Sequence, residues 1–181
     1  MKVYTSNQST EQSTSERVKV GVADYAVTES GAELVTSGLG SCVGIALVDT
    51  ETGIAGLAHA MLPAASDGRS QTDGGGPDPM SNDAKYVDTA VNGLLREMVD
   101  AGADRSRIEA RVAGGSAMFE FNAGDGAVGE RNVEATEEVL GEHGIPIVAT
   151  DVGGDHGRSL SFDVSSGTLS VRRAHGDTRD L

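Results

Sequence analysis

Cys42 is the only cysteine of the chain, and it sits in VTSGLGSCVGIALVD, Val35 to Asp49, where a glycine-rich bend meets an apolar run. A lone thiol so placed is either a small buried core residue or a nucleophile held up at a turn. Gly38 and Gly40 let the main chain bend sharply, so that the N–H groups of Ser41 and Cys42 can converge and form an oxyanion hole. A thiol needs a base to become thiolate at neutral pH. Histidine is the usual one, lowering the cysteine pKa by pairing with it as imidazolium. His59, in GLAHAML, is the candidate, and Thr36, just upstream of the bend, carries a hydroxyl that can orient the imidazole. A histidine between two alanines of a strand is by itself more often a satisfied core residue than a catalyst. Taken jointly, Cys42, His59 and Thr36 describe nucleophilic thiol catalysis.

Other motifs fit less well. GLGSCVG misses a dinucleotide fingerprint because its third glycine falls at Gly44, one position late. GGSAMF fails the serine-hydrolase elbow, since Met118 stands where the last glycine belongs. His59, His143, His156 and His175 lack the spacing of a structural zinc site, and no cofactor is called for. In DVGGDHGR, Asp151 to Arg158, the glycines read as a turn before the last hairpin rather than as backbone brought close to the site, and His156 is a second-choice base.

The pattern of apolar residues supplies elements to position these groups. VKVGVADYAV alternates at period two as a strand, and CVGIALVDTETGIAGLAHAMLP reads as two strands joined at Thr52-Gly53. Pairing those strands carries Cys42 and His59 to one end of a hairpin. In NDAKYVDTAVNGLLREMVDAGA, the residues Ala84, Val87, Val91, Leu94, Leu95 and Met98 fall on one helical face, with Asn82 or Asp83 to cap the start and Gly102 the end. A second helix over about 131–143 turns Val133, Thr136, Val139 and Leu140 inward and stops at Gly144. SRIEARVAGGSAMF and IPIVATDVGG read as strands running into glycine bends, and SLSFDVSSGTLSVRR as a hairpin about Ser166-Gly167. Strands interrupted by two helices give an α+β or layered α/β domain with a mixed sheet.

At 181 residues the chain suits one domain. Residues 1–17 are too polar to offset the entropy of ordering and read as a disordered tail, 18–175 as the folded domain, and 176–181 as a flexible end. Residues 64–81, rich in Gly, Pro, Ser and Asp, read as a mobile loop, a variable insertion more than a lid. No apolar run spans a bilayer or serves as a secretory leader, so a cytoplasmic location is expected. The 28 acidic residues against 14 basic ones argue against a nucleic-acid partner and for a cytosol of very high salt.

VTSGLGSCVGIALVD, GLAHAMLP, AKYVDTAV, GGSAMF, GERNVEATEEVLGEHGIPIVATDVGGDHGR and FDVSSGTLSVRR, in this order from about Val18 to Arg173, resemble the CheD family, the chemoreceptor glutamine deamidases of bacterial and archaeal chemotaxis. The resemblance implies a layered sandwich like that of glutamine-deamidating toxins and a Cys-His-Thr triad falling on Cys42, His59 and Thr36. It also implies methyl-accepting chemotaxis receptors as protein substrate and a CheC-type phosphatase as partner. Where the family carries glycine-alanine-asparagine after the central strand, this chain has Gly115, Ser116 and Ala117, which puts one substrate contact in doubt. The rival readings are a non-catalytic regulator that binds receptor or phosphatase, and a redox-sensing thiol at Cys42, which requires exposure and a low pKa.

Overall fold

The computed structural model describes residues 16–29, 31–65, 83–118 and 127–181. Within them run β1 (Glu16–Lys19), β2 (Asp24–Thr28), β3 (Ala32–Leu39), β4 (Val43–Asp49), β5 (Ile54–Ala60), α1 (Val87–Asp100), β6 (Ile108–Gly114), α2 (Val128–Glu142), β7 (Ile147–Val152), β8 (Arg158–Asp163), β9 (Thr168–Arg173) and β10 (Thr178–Asp180). The strands form two five-stranded mixed sheets, one ordered β1-β3-β8-β9-β10 and the other β2-β5-β4-β6-β7.

Three layers follow from where the apolar side chains point. One face of the β2-β5-β4-β6-β7 sheet carries Val43, Ile45, Leu47, Ala58 and Val112 against Val87, Val91, Leu94 and Met98 of α1 and Leu140 of α2. The opposite face carries Ala46, Val48, Ala55 and Leu57 against Leu34, Leu160, Phe162 and Val171 of the other sheet. Strands β4 and β5 are buried at every position, as befits the middle layer of an α/β/β sandwich. The fold is thus the layered α+β sandwich with two main helices, its strands divided between two mixed sheets where the apolar pattern implies one.

Several local expectations shift. VKVGVADYAV is not one strand: the chain breaks at Ala23, with φ +56°, and sends β1 to one sheet and β2 to the other. Period-two alternation specifies a strand but not the sheet it joins. The ordered chain reaches two residues into the segment read as a tail, Glu16 and Arg17 pairing with Ala32 and Glu33. At the other end, β10 lies in the segment read as flexible and pairs with β9. All three of its residues are exposed, so main-chain bonds hold a strand that no hydrophobic pattern announces. Helix α1 starts at Tyr86 without a side-chain cap, because Asp83 lies in a preceding 3-10 turn; Gly102, at φ +113°, ends it as expected. The reading of 64–81 as a mobile loop lies outside the described residues, Ala64 and Ala65 apart.

Candidate active site

The β4–β5 hairpin places Gly44 opposite His59 and Val43 opposite Ala60. Cys42, one residue before β4, therefore lies diagonal to His59 on the same face, the arrangement in which antiparallel side chains stay within mutual reach of about 7–8 Å between Cα atoms. That face is the one between the sheets. Cys42 packs against the inter-sheet cluster and is partly exposed, whereas His59 is completely buried. A Cβ on Gly44 would meet the terminal methyls of Leu160 and Leu39, which would have to shift to admit it beside the imidazole.

Thr36 comes from the facing sheet. Its strand β3 turns Leu34 and Thr36 inward by period two and is kinked by a register shift between Ser37 and Leu39, where Gly38 sits at φ +79°. The Thr36 hydroxyl lies 2.8 Å from His59 Nδ1. His59 Nε2 is buried and has no hydrogen-bond partner among the described residues. Thr36 of β3 and His59 of β5 are thus in direct contact, and the strand register sets Cys42 on the same face, with no hydrogen bond from its sulfur to His59 among the described residues.

Electrostatics modify the expected chemistry. Burial pushes the Cys42 thiol up, opposed in part by its own main-chain N–H, and burial pushes the His59 imidazole down. Both shifts favour the neutral forms and so run against the thiolate–imidazolium pair expected from sequence. The reason is desolvation: charges in the inter-sheet layer lose water without gaining a fixed counter-charge. The same upward shift runs against the low pKa that a redox-sensing thiol requires.

The catalytic-side loop is pinned from one direction. The Gly40 carbonyl accepts from Ser116 N at 2.9 Å and that of Cys42 from Gly115 N at 2.8 Å. The Ser41 carbonyl accepts from Asn132 Nδ2 at 2.8 Å. A trans peptide points its N–H opposite to its C=O. With the carbonyls of Gly40 and Ser41 held toward α2 and the 114–116 turn, the N–H groups of Ser41 and Cys42 face away from them. The turn itself needs glycine: Gly114 has φ +107°, and a Cβ there would collide with the Cys42 carbonyl.

Asn132 is the residue that sequence reasoning missed. It is wholly buried on α2 and also donates from Nδ2 to the Met61 carbonyl at 2.9 Å, so one amide ties the residue before Cys42 to the end of the His59 strand. A signal was available: Asn132 lies four positions before Thr136, on the helix face that turns inward. The helix begins at Val128, about three residues before the sequence reading placed it, which brings Asn132 into the first turns. Asn132→Ala strips both carbonyls of their donor. It is expected to cost about 2–6 kcal/mol of stability in urea denaturation, at about 1–3 kcal/mol for each of the two unsatisfied groups.

Ser116 is also buried, its hydroxyl without a partner among the described residues, while Gly115 and Ala117 line a cavity of about 420 Å³ with Glu130 and Val133. The DVGGDHGR segment does both of the things considered for it. It turns from β7 to β8, and it lies against this region through Gly153 N to Gly114 O and Ala117 N to Gly154 O. Its Asp151 is buried between Arg158, at 2.9 Å, and Arg173, at 2.7 Å. No hydrogen bond joins His156 to Cys42 or Thr36 among the described residues. No group of three or more His, Cys, Asp or Glu among them is placed to hold a metal ion.

The family model described as CheD chemotactic sensory transduction matches residues 61–173. Over its full length the chain is 48% identical to all of the Haloarcula marismortui protein named "Probable chemoreceptor glutamine deamidase CheD". The chain belongs to the CheD family. A Natronomonas pharaonis CheD protein of the same name is 39% identical over 94% of this chain and 96% of its own. The Halalkalibacterium halodurans "Chemoreceptor glutamine deamidase CheD" is 41% identical over 91% of this chain and 98% of its own. Two haloarchaeal CheD relatives agree with the acidic composition. A solved Neisseria meningitidis structure of the DUF152 family aligns over 77% of this CheD chain and 63% of its own with a TM-score of 0.43 at 10% identity, too remote to bear on the site. No described helix of the chain is long and apolar enough to cross a membrane.

Proposed function

We propose that this CheD chain hydrolyses the side-chain amide of glutamines in chemotaxis receptors, yielding glutamate and ammonia, with Cys42 as nucleophile, His59 as general base and acid, and Thr36 as the residue that orients the ring. The observation that carries the proposal is the Thr36–His59 hydrogen bond, with Nε2 left unpartnered on the face shared with Cys42.

With Nδ1–H donating to the Thr36 hydroxyl, Nε2 holds the lone pair that a base needs. Cys42 Sγ attacks the carboxamide carbon while its proton passes to Nε2, which fits a site where burial favours the neutral forms. The developing oxyanion is met by the outward N–H groups of Ser41 and Cys42, whose direction the pinned carbonyls set. The imidazolium then protonates the amine as the C–N bond breaks, releasing ammonia and leaving a thioester. Water, deprotonated by His59, adds to the thioester carbonyl; Sγ leaves and regains the proton, and the glutamate carboxylate departs. Each event places one negative charge on the receptor.

The reaction proceeds in the cytoplasm, at the cytoplasmic part of a membrane receptor, and a CheC-type phosphatase competes with receptor for the enzyme. The experiment is mass spectrometry of a receptor co-expressed with and without this chain. Conversion of specific glutamines to glutamate only in its presence is expected; unchanged glutamines, with receptor still bound, would leave the protein as a non-catalytic regulator.

A further inference from the structure

The solvent face of the β1-β3-β8-β9-β10 sheet holds a groove of about 550 Å³ that neither Cys42 nor His59 lines. Arg17, Lys19 and Arg172 line it with the hydroxyl residues Ser37, Ser159, Ser161, Ser170 and Thr178, together with Val35, Leu160 and Thr36 of the candidate site. Through Ser159 and Arg172 it joins a second depression of about 350 Å³, bounded by Gly38, Gly157, Arg158 and Arg173. Neither is lined by a carboxylate, although the chain has twice as many acidic as basic residues, 28 to 14. Five of those 14 cations thus gather here.

Not all five are free charges. Arg17 is paired with Glu33, and Arg158 and Arg173 share Asp151. Lys19 and Arg172 are exposed and have no ion-pair partner among the described residues. Lys19, Val35, Ser161, Ser170 and Asp180 share one row across the sheet, Arg172 lies opposite Thr178 in the next row, and Glu33 and Asp163 lie beside Arg17 in the row on the other side, so carboxylates border the groove although none lines it. Arg172 shares a row with Ser37 and Ser159, toward Gly38, and Lys19 stands one row away. Thr36, which also lines the groove, and Gly38, which lines the second depression, belong to the strand and bend that lead to Cys42.

We infer that this groove binds an acidic segment of the protein substrate flanking the target glutamine, carboxylates meeting Lys19 and Arg172 and the hydroxyls donating beside them. The inference rests on the deamidase reading. Charge complementarity selects the occupant: two cations without an ion-pair partner and the hydroxyls of Ser37, Ser159 and Thr178 suit carboxylates, those of Ser161 and Ser170 already donating to Glu33 and Asp180. In molar salt the screening length falls to about 3 Å, so such pairs act through direct contact rather than long-range steering.

The test is the Lys19→Glu/Arg172→Glu double variant. Both residues are exposed and outside the catalytic machinery, so the fold is retained. With a receptor cytoplasmic fragment as substrate, KM is expected to rise about tenfold or more while kcat stays within about twofold. A fluorescent oligoglutamate peptide should bind the wild type in molar KCl, lose binding in the double variant, and inhibit deamidation competitively. Unchanged KM and no oligoglutamate binding would overturn the inference, as would equal binding of a single-stranded oligonucleotide. If the wild type deamidated no receptor, the proposed function would fall, and the oligoglutamate arm would still decide the groove.

Discussion

Cys42→Ala is expected to abolish ammonia release from receptor glutamine while leaving receptor binding and fold in place. The sulfur is the only thiol in the chain, so no second nucleophile can take over the covalent step. It is only partly buried, and its removal leaves the main-chain bonds of the loop intact, since Gly115 N and Ser116 N bind carbonyls and not the side chain. Loss of the nucleophile removes the thioester route altogether. A rate drop of about 10⁴-fold or more is the scale for losing the nucleophile of a concerted triad. The check is ammonia release from a receptor fragment, with a pull-down on the same fragment. Wild-type turnover by the variant would show that Cys42 is not the nucleophile, and lost binding would point to a structural role.

His59→Gln should lower kcat by about 10²–10⁴-fold, the span attributed to a general acid–base group. Glutamine keeps a polar group facing Thr36 and limits the cavity that alanine would leave, so the loss reports chemistry rather than collapse. Thr36→Val, which removes only the orienting hydroxyl, should cost less, because a neutral hydroxyl steadies an imidazolium less than a carboxylate would. The pH dependence follows from the same burial. His59 must be unprotonated to accept the thiol proton, and its pKa is held below the ordinary 6.5, so the acid limb of kcat/KM should lie below pH 6.5. Stability moves with it. Between 6.5 and the lower folded value the unfolded chain binds a proton that the folded chain does not, so stability falls as the pH drops through that window. In His59→Gln this contribution disappears. An acid limb at or above 6.5, or equal acid sensitivity of wild type and variant, would contradict a buried neutral imidazole.

What was legible in the sequence is what local pattern carries. The alternation and the Thr52-Gly53 turn specify the β4–β5 hairpin, and a two-strand register then leaves little freedom in where Cys42 and His59 meet. Helix faces were legible for the same reason: Val87, Val91, Leu94, Leu95 and Met98 recur at the helical period and are buried. Motif order also identified the family. Tertiary structure decided the rest. Which sheet receives β1 and β2 depends on a break at Ala23 that alternation does not mark, and β10 is held by backbone bonds indifferent to side-chain pattern. The Thr36–His59 contact joins two sheets, so it depends on layer packing. Asn132 gains its role only because α2 crosses above the residues before Cys42 and after His59, giving one amide two carbonyls distant in sequence. The protonation states of Cys42 and His59 are set by lost hydration, a property of the folded interior that no residue type announces.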